Sequence, residues 1–92
     1  MGKVKVTLYG ALARIVGESV ASVEAGTLRE ALDDLTRRYG DEFRSRIFDG
    51  DERLRRFINV YVNGKDIRFL ESLDTRLNDG DGVSIIPAVG GG

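Results

Sequence analysis

The chain alternates between apolar and polar positions at both ends and turns helically periodic in between. From Lys3 to Tyr9, Val4, Val6 and Leu8 point one way, while Lys5, Thr7 and Tyr9 point the other. That period of two predicts a half-buried strand. Gly10 breaks it, and Ala11 to Val16 reads as a helical turn or irregular link closed by Gly17. Glu18 to Glu24 reads as a weaker strand, with Ala21 and Val23 inward and Val20 outward beside Ser22 and Glu24. The short connection at Gly17 predicts that these two strands pair antiparallel.

The strongest local signal follows. Thr27-Leu28-Arg29-Glu30 matches a capping box, which places the Thr27 hydroxyl to accept an orphan N–H at a helix start. Leu28, Ala31, Leu32, Leu35 and Tyr39 then form one apolar stripe at helical spacing. Glu30, Asp33 and Asp34 come early and Arg37 and Arg38 late, the order a helix dipole favours. Gly40 is the natural stop. This is an amphipathic helix that must lie on a sheet.

Asp41 to Arg56 is charged and carries Phe43, Ile47, Phe48 and Leu54 as apolar tethers. It reads as a short turn of helix and a loop containing Asp49-Gly50-Asp51. Phe57 to Val62 reads as a strand, with Ile58, Val60 and Val62 on one face and Phe57, Asn59 and Tyr61 on the other. Asn63-Gly64 is a hairpin dipeptide, so Lys65 to Arg68 is expected to return as a short strand. Phe69, Leu70, Leu73 and Leu77 are expected to cover the next connection, and Asn78 to Gly82 is a tight turn. Val83 to Pro87 is the last strand, with Val83 and Ile85 inward and Ser84 and Ile86 outward. The order predicts a two-layer α+β domain, a mixed sheet of four to five strands with one main helix on one face. The first and last strands are expected to be central. Residues 1–86 form the body, and 87–92 a flexible tail.

Composition narrows the chemistry more than the fold. The 92 residues are 41% hydrophobic and 32% charged, which suits one small globular domain. There is no Cys and no His, hence no thiol nucleophile, no Ser-His or Cys-His pair, no usual zinc site and no disulfide. A net charge of -1, from 14 basic and 15 acidic residues, argues against nucleic acid as the main partner. No stretch approaches the roughly 18 apolar residues of a membrane span, and the expected setting is the cytoplasm without membrane contact. The two Asp-Gly-Asp runs lack the remainder of a calcium loop and read as turns. Arg53, Arg55 and Arg56 are preceded by Asp49, Asp51 and Glu52, which reads as a solvated surface or a site for a partner's acidic loops. Asp33-Asp34 reads as ion partners of Arg37 and Arg38 rather than an acid–base pair. Nothing here makes an autonomous enzyme, and no bound metal or cofactor is expected.

The tail is different. Gly90-Gly91-Gly92 follows soon after a well-formed strand. Six residues from Pro87 to Gly92 reach at most about 20 Å, enough to carry a terminal carboxylate into a narrow cleft of another protein. Glycines suit such a passage because they lack side chains and accept unusual backbone angles.

That tail, Ile85-Ile86-Pro87-Ala88-Val89-Gly90-Gly91-Gly92, preceded by Leu77-Asn78-Asp79-Gly80-Asp81-Gly82-Val83, resembles the C-terminus of MoaD-type proteins. These are the small subunits of molybdopterin synthase and their ubiquitin-like sulfur-carrier relatives. Val6 to Gly17 resembles the family's first strand and following helical turn, and Val60 to Lys65 fits its hairpin. Ala13 and Arg14 stand where the family often has a basic then an acidic residue, and Gly90 stands where Ala is frequent.

The resemblance implies a β-grasp fold and a carrier role. An E1-like enzyme would adenylate the Gly92 carboxylate at the expense of ATP, and sulfur transfer would make it a thiocarboxylate. Pro87, Ala88, Val89, Gly90 and Gly91 would enter the partner's active site, and the large subunit of molybdopterin synthase would use the sulfur. The alternatives are a ubiquitin-like modifier joined through Gly92 to target lysines, and a β-grasp interaction module with no carrier role. Relatives serving thiamine synthesis are generally shorter. Ordering six tail residues costs roughly 6–12 kcal/mol. Burying Ala88 and Val89 returns only about 2–4 kcal/mol. Much of the affinity is therefore expected from the body, where Phe57, Tyr61 and Ile86 sit among Lys5, Thr7, Asn59 and Ser84 as an apolar centre with a polar rim.

Overall fold

The computed structural model describes residues 2–50 and 53–87. In chain order these form β1 (Gly2–Leu8), α1 (Ala11–Val16), β2 (Val20–Ala25), α2 (Leu28–Ile47), β3 (Ile58–Val62), β4 (Lys65–Asp66) and β5 (Gly82–Pro87). Two 3₁₀ turns, Ile67–Phe69 and Ser72–Asp74, join β4 to β5. The strands make one sheet in the order β2-β1-β5-β3-β4. β1 and β5 run parallel, and every other pair is antiparallel.

β1 and β5 occupy inner positions because both alternate strongly. Val4, Val6 and Leu8 of β1 and Val83 and Ile85 of β5 are buried on the helix side. Register aligns them across strands: Val6 lies opposite Ala21 and Val83, and Ile85 lies opposite Leu8 and Val60. Strands paired in this way stack side chains of one face into a continuous floor. Leu28, Ala31, Leu32 and Leu35 of α2 close over that floor, fully buried. The start of α2 is capped as expected, with the Glu30 N–H donating to Thr27 Oγ1 at 3.3 Å. The Glu30 carboxylate reaches back to the Gly26 N–H at 2.7 Å, one residue before the cap.

The backbone of α2 breaks at Gly40, whose φ of 82° and ψ of -166° are not helical. The helix then resumes to Ile47, longer than the single turn expected there. The break leaves the apolar stripe in phase, since Phe43 and Ile47 are fully buried and Tyr39 and Phe43 rings lie 5.9 Å apart. Phe48 is buried as well, and Leu54 packs against the core from its bridge with Phe48.

Three expectations change. The return strand after Asn63-Gly64 is only two residues long, because the Asp66 carboxylate accepts the Arg68 N–H at 2.8 Å and starts a 3₁₀ turn. Phe69 and Leu70 do not cover the connection; Phe69 is 82% exposed and Leu70 is exposed as well, and Ile67, Thr75 and Leu77 are the buried residues there. Phe57 lies one residue ahead of β3, outside the sheet ladder.

Candidate functional site

β5 is the middle strand of the five, and the tail leaves from its end. Pro87, the last residue of β5, pairs with Ile58 of β3. Ala88, Val89, Gly90, Gly91 and Gly92 lie outside the described residues. Beside Pro87 is a cavity of about 400 Å³ lined by Ala11, Leu12, Phe57 and Ile58, with Arg46 and Arg55 at its polar side. Phe57 is 48% exposed there, so it flanks the root of the tail. Gly10 turns the chain just behind. Its φ is +59°, and a Cβ on it would stand 3.3 Å from Pro87 Cγ. The Arg55 Nε–H donates to the Ser45 carbonyl at 2.5 Å, tying the loop before β3 to the end of α2.

The sheet face turned away from α2 is assembled by register. Val20 lies opposite Thr7, Thr7 opposite Ser84, Ser84 opposite Tyr61, and Tyr61 opposite Asp66, a row across all five strands. Ile86 lies opposite Asn59, which makes it a diagonal neighbour of Tyr61. The structure thus brings Tyr61 and Ile86 together, both partly exposed, whereas Phe57 is not in the sheet ladder and lines the cavity with Leu12 and Arg46 instead. Val20, 39% exposed, extends the same face toward the β2 edge. Its outward parity was readable in the sequence; its place in the row required the pairing of β1 with β5.

The opposite edge is polar. Arg68 grips Asp66 at 2.7 Å, and this guanidinium, followed by the Arg68 backbone N–H, holds the Asp66 carboxyl below its ordinary range. Arg68 also reaches Asn59 Oδ1 at 3.4 Å. On α2, Asp34 pairs with Arg38 at 2.7 Å and Arg37 at 3.5 Å, as the spacing of these residues suggested. Among the described residues, no three His, Cys, Asp or Glu side chains gather as a metal site. No described helix is long and apolar enough to cross a membrane. The arrangement offers a rigid body, a strand that runs out from its centre, and a face with an apolar middle.

A five-stranded mixed sheet holding one main helix, with its last strand between two neighbours, is the β-grasp fold of ubiquitin-like proteins. Within that class, the chain belongs to the ThiS family, whose profile matches residues 6–92. It is 40% identical over 78 residues to the sulfur carrier protein CysO of Mycobacterium tuberculosis, covering 83% of each chain. The solution structure of small archaeal modifier protein 1 from Methanosarcina acetivorans superposes with a TM-score of 0.91 at 36% identity, over 100% of this chain and 98% of that one. A chain in the crystal structure of the Amycolatopsis orientalis BexX/CysO complex superposes with a TM-score of 0.84 at 37% identity, over 97% of this chain and 99% of that one. The family is one of small sulfur carriers and ubiquitin-like modifiers.

Proposed function

We propose that this chain is a sulfur carrier whose working group is the Gly92 carboxylate. The observation that carries the reading is the central strand β5, which runs out at Pro87 toward Gly90-Gly91-Gly92 from a body without Cys or His. A carboxylate is a poor acyl electrophile. Its attack on the α-phosphate of ATP, bound by an E1-like partner, releases pyrophosphate and leaves an acyl adenylate. Sulfide then displaces AMP and leaves a thiocarboxylate on Gly92; with a persulfide donor the acyl disulfide first formed is cleaved by a thiol, which takes the donor sulfur as a disulfide. The catalytic side chains belong to the partners, and this chain supplies the acyl group, the docking face of Tyr61 and Ile86, and Phe57 beside the tail root.

The test is an intact-mass measurement after incubation with the E1-like enzyme of the same organism, ATP and a sulfur donor. A gain of about 16 Da, sulfur replacing oxygen, is expected. No gain with an enzyme verified as active sinks the proposal. The resemblance of the tail to MoaD-type proteins supports a pterin precursor as acceptor, within the large subunit of molybdopterin synthase. Similarity to CysO supports a second acceptor class, and incubation of the charged carrier with each candidate acceptor enzyme separates them.

Similarity to a small archaeal modifier protein favours one further reading, conjugation of Gly92 to lysines of target proteins. Affinity-tagged chain expressed in its own cells gives high-mass conjugates under that reading and none under a carrier role alone.

A further inference from the structure

The arginines that the sequence left as a solvated surface or a site for a partner's acidic loops line a groove. Leu54, Ile58, Val60, Ile67 and Leu73 form the apolar wall of a cavity of about 350 Å³. Arg53, Arg55, Arg56 and Arg68 rim it. Arg68 is neutralised by Asp66. Among the described residues, no carboxylate lies within ion-pair distance of the Arg53, Arg55 or Arg56 guanidinium groups. All three side chains are exposed. The groove opens where β4 stops, since β4 pairs with β3 only at Tyr61 and Val62. It adjoins the cavity at the tail root, with Arg55 and Ile58 lining both.

We infer that this groove is a second docking site for the partner that handles the tail, and that it takes a segment pairing Asp or Glu with an apolar anchor. Three guanidinium groups with no ion-pair partner among the described residues, around an apolar wall, match that chemistry, since guanidinium pairs bidentately with carboxylate. The shared lining at Arg55 and Ile58 argues for the same partner, because a protein covering Pro87 meets Arg55 next. The groove borders the outer sheet face of Tyr61 and Ile86 at Asn59 and Asp66, which line it from the β3–β4 edge. Its charged rim sets how fast and how selectively the partner docks, while the tail is what reacts. This inference rests on the carrier reading.

The test uses the full chain, the E1-like adenylating enzyme of the same organism, ATP and sulfide to displace AMP, read as the steady-state rate of pyrophosphate release. The double variant Arg53→Glu/Arg56→Glu is compared with wild type and with Arg53→Lys/Arg56→Lys, after thermal melts confirm that all three fold. The charge reversal is expected to raise the KM for the chain by about tenfold or more at unchanged kcat, with added salt raising the KM of wild type and of the lysine variant but not that of the charge reversal. The lysine variant should fall between, because it keeps charge without the planar fork. A charge-reversed KM within about threefold of wild type overturns the groove and leaves the carrier reading standing. No pyrophosphate release from wild type overturns the carrier reading, and the groove proposal with it.

Discussion

Asp81 and Asn63, 18 residues apart in the chain, join the turn before β5 to the hairpin after β3: the Asn63 Nδ2 donates to Asp81 Oδ1 at 3.0 Å. The Asn63 amide oxygen accepts the Gly82 N–H at 2.9 Å, and Asp81 Oδ2 accepts the Asn78 N–H at 2.8 Å. Two turns are thereby cross-braced at the point where the central strand begins. Replacing Asn63 with Gly keeps the positive φ of 52° accessible but removes both side-chain bonds. The expected loss is roughly 1–3 kcal/mol, read from the midpoint of urea unfolding.

The same brace gives an acid dependence. The Asn78 N–H, and after it the Asn63 side chain, hold the Asp81 carboxyl below its ordinary range. A carboxyl depressed by folding contributes stability fully above its unfolded value of about 3.9 and loses that contribution as pH falls through the folded value. The stability gap between wild type and Asp81→Asn should therefore be constant near neutrality and shrink below about pH 4. Thermal melts across that range check it, and a gap that widens on acidification contradicts the assignment.

Gly2 is required for space. A Cβ there would stand 2.4 Å from the Asp79 nitrogen and 2.6 Å from the Asn78 carbonyl carbon, all backbone that cannot swing aside. The close approach is held by the Lys3 N–H donating to Asp79 Oδ1 at 2.8 Å and the Gly80 N–H donating to the Lys3 carbonyl at 2.9 Å. Gly2→Ala is expected to cost about 1–3 kcal/mol by forcing these segments apart. Denaturant unfolding measures it.

Gly40 is required for angle instead. Nothing lies within 4 Å of a Cβ built on it, yet its φ of 82° with ψ of -166° belongs to glycine. Gly40→Ala should cost about 1–3 kcal/mol through backbone strain alone. Because Phe43 and Ile47 follow directly, the variant should also raise amide exchange in residues 41–47 more than in 28–39.

On the outer face, Tyr61→Ala and Ile86→Ala are expected to weaken docking to the activating enzyme while leaving the fold intact. Both side chains are only partly buried, and buried aromatic anchors carry much of a typical interface. A loss of about tenfold in affinity for Tyr61→Ala is expected by titration calorimetry. Unchanged binding for both variants would remove this face from the docking surface.

Much of the body was legible because single elements carry their own period. The stripe Leu28, Ala31, Leu32 and Leu35, the Thr27 cap and the Asn63-Gly64 turn all report short-range physics, and all stand as expected. The length of β4 was not legible, because one side chain, Asp66, competes with the ladder by capping a 3₁₀ turn. Nor was the exposure of Phe69. An aromatic residue is buried only if a partner surface reaches it, and here Ile67 and Leu77 fill the space.

Sequence alone determined which residues alternate, where the main helix starts, and that the chain carries neither Cys nor His. These follow from local steric preference and from the inventory of side chains. Tertiary structure decided that β1 and β5 run parallel, that Val20, Thr7, Ser84, Tyr61 and Asp66 form one row, and that Arg53, Arg55 and Arg56 rim a groove. Those facts depend on which strand lies beside which and in what register. That choice is made by burying the most apolar strands at the centre, a cooperative outcome that no local window contains.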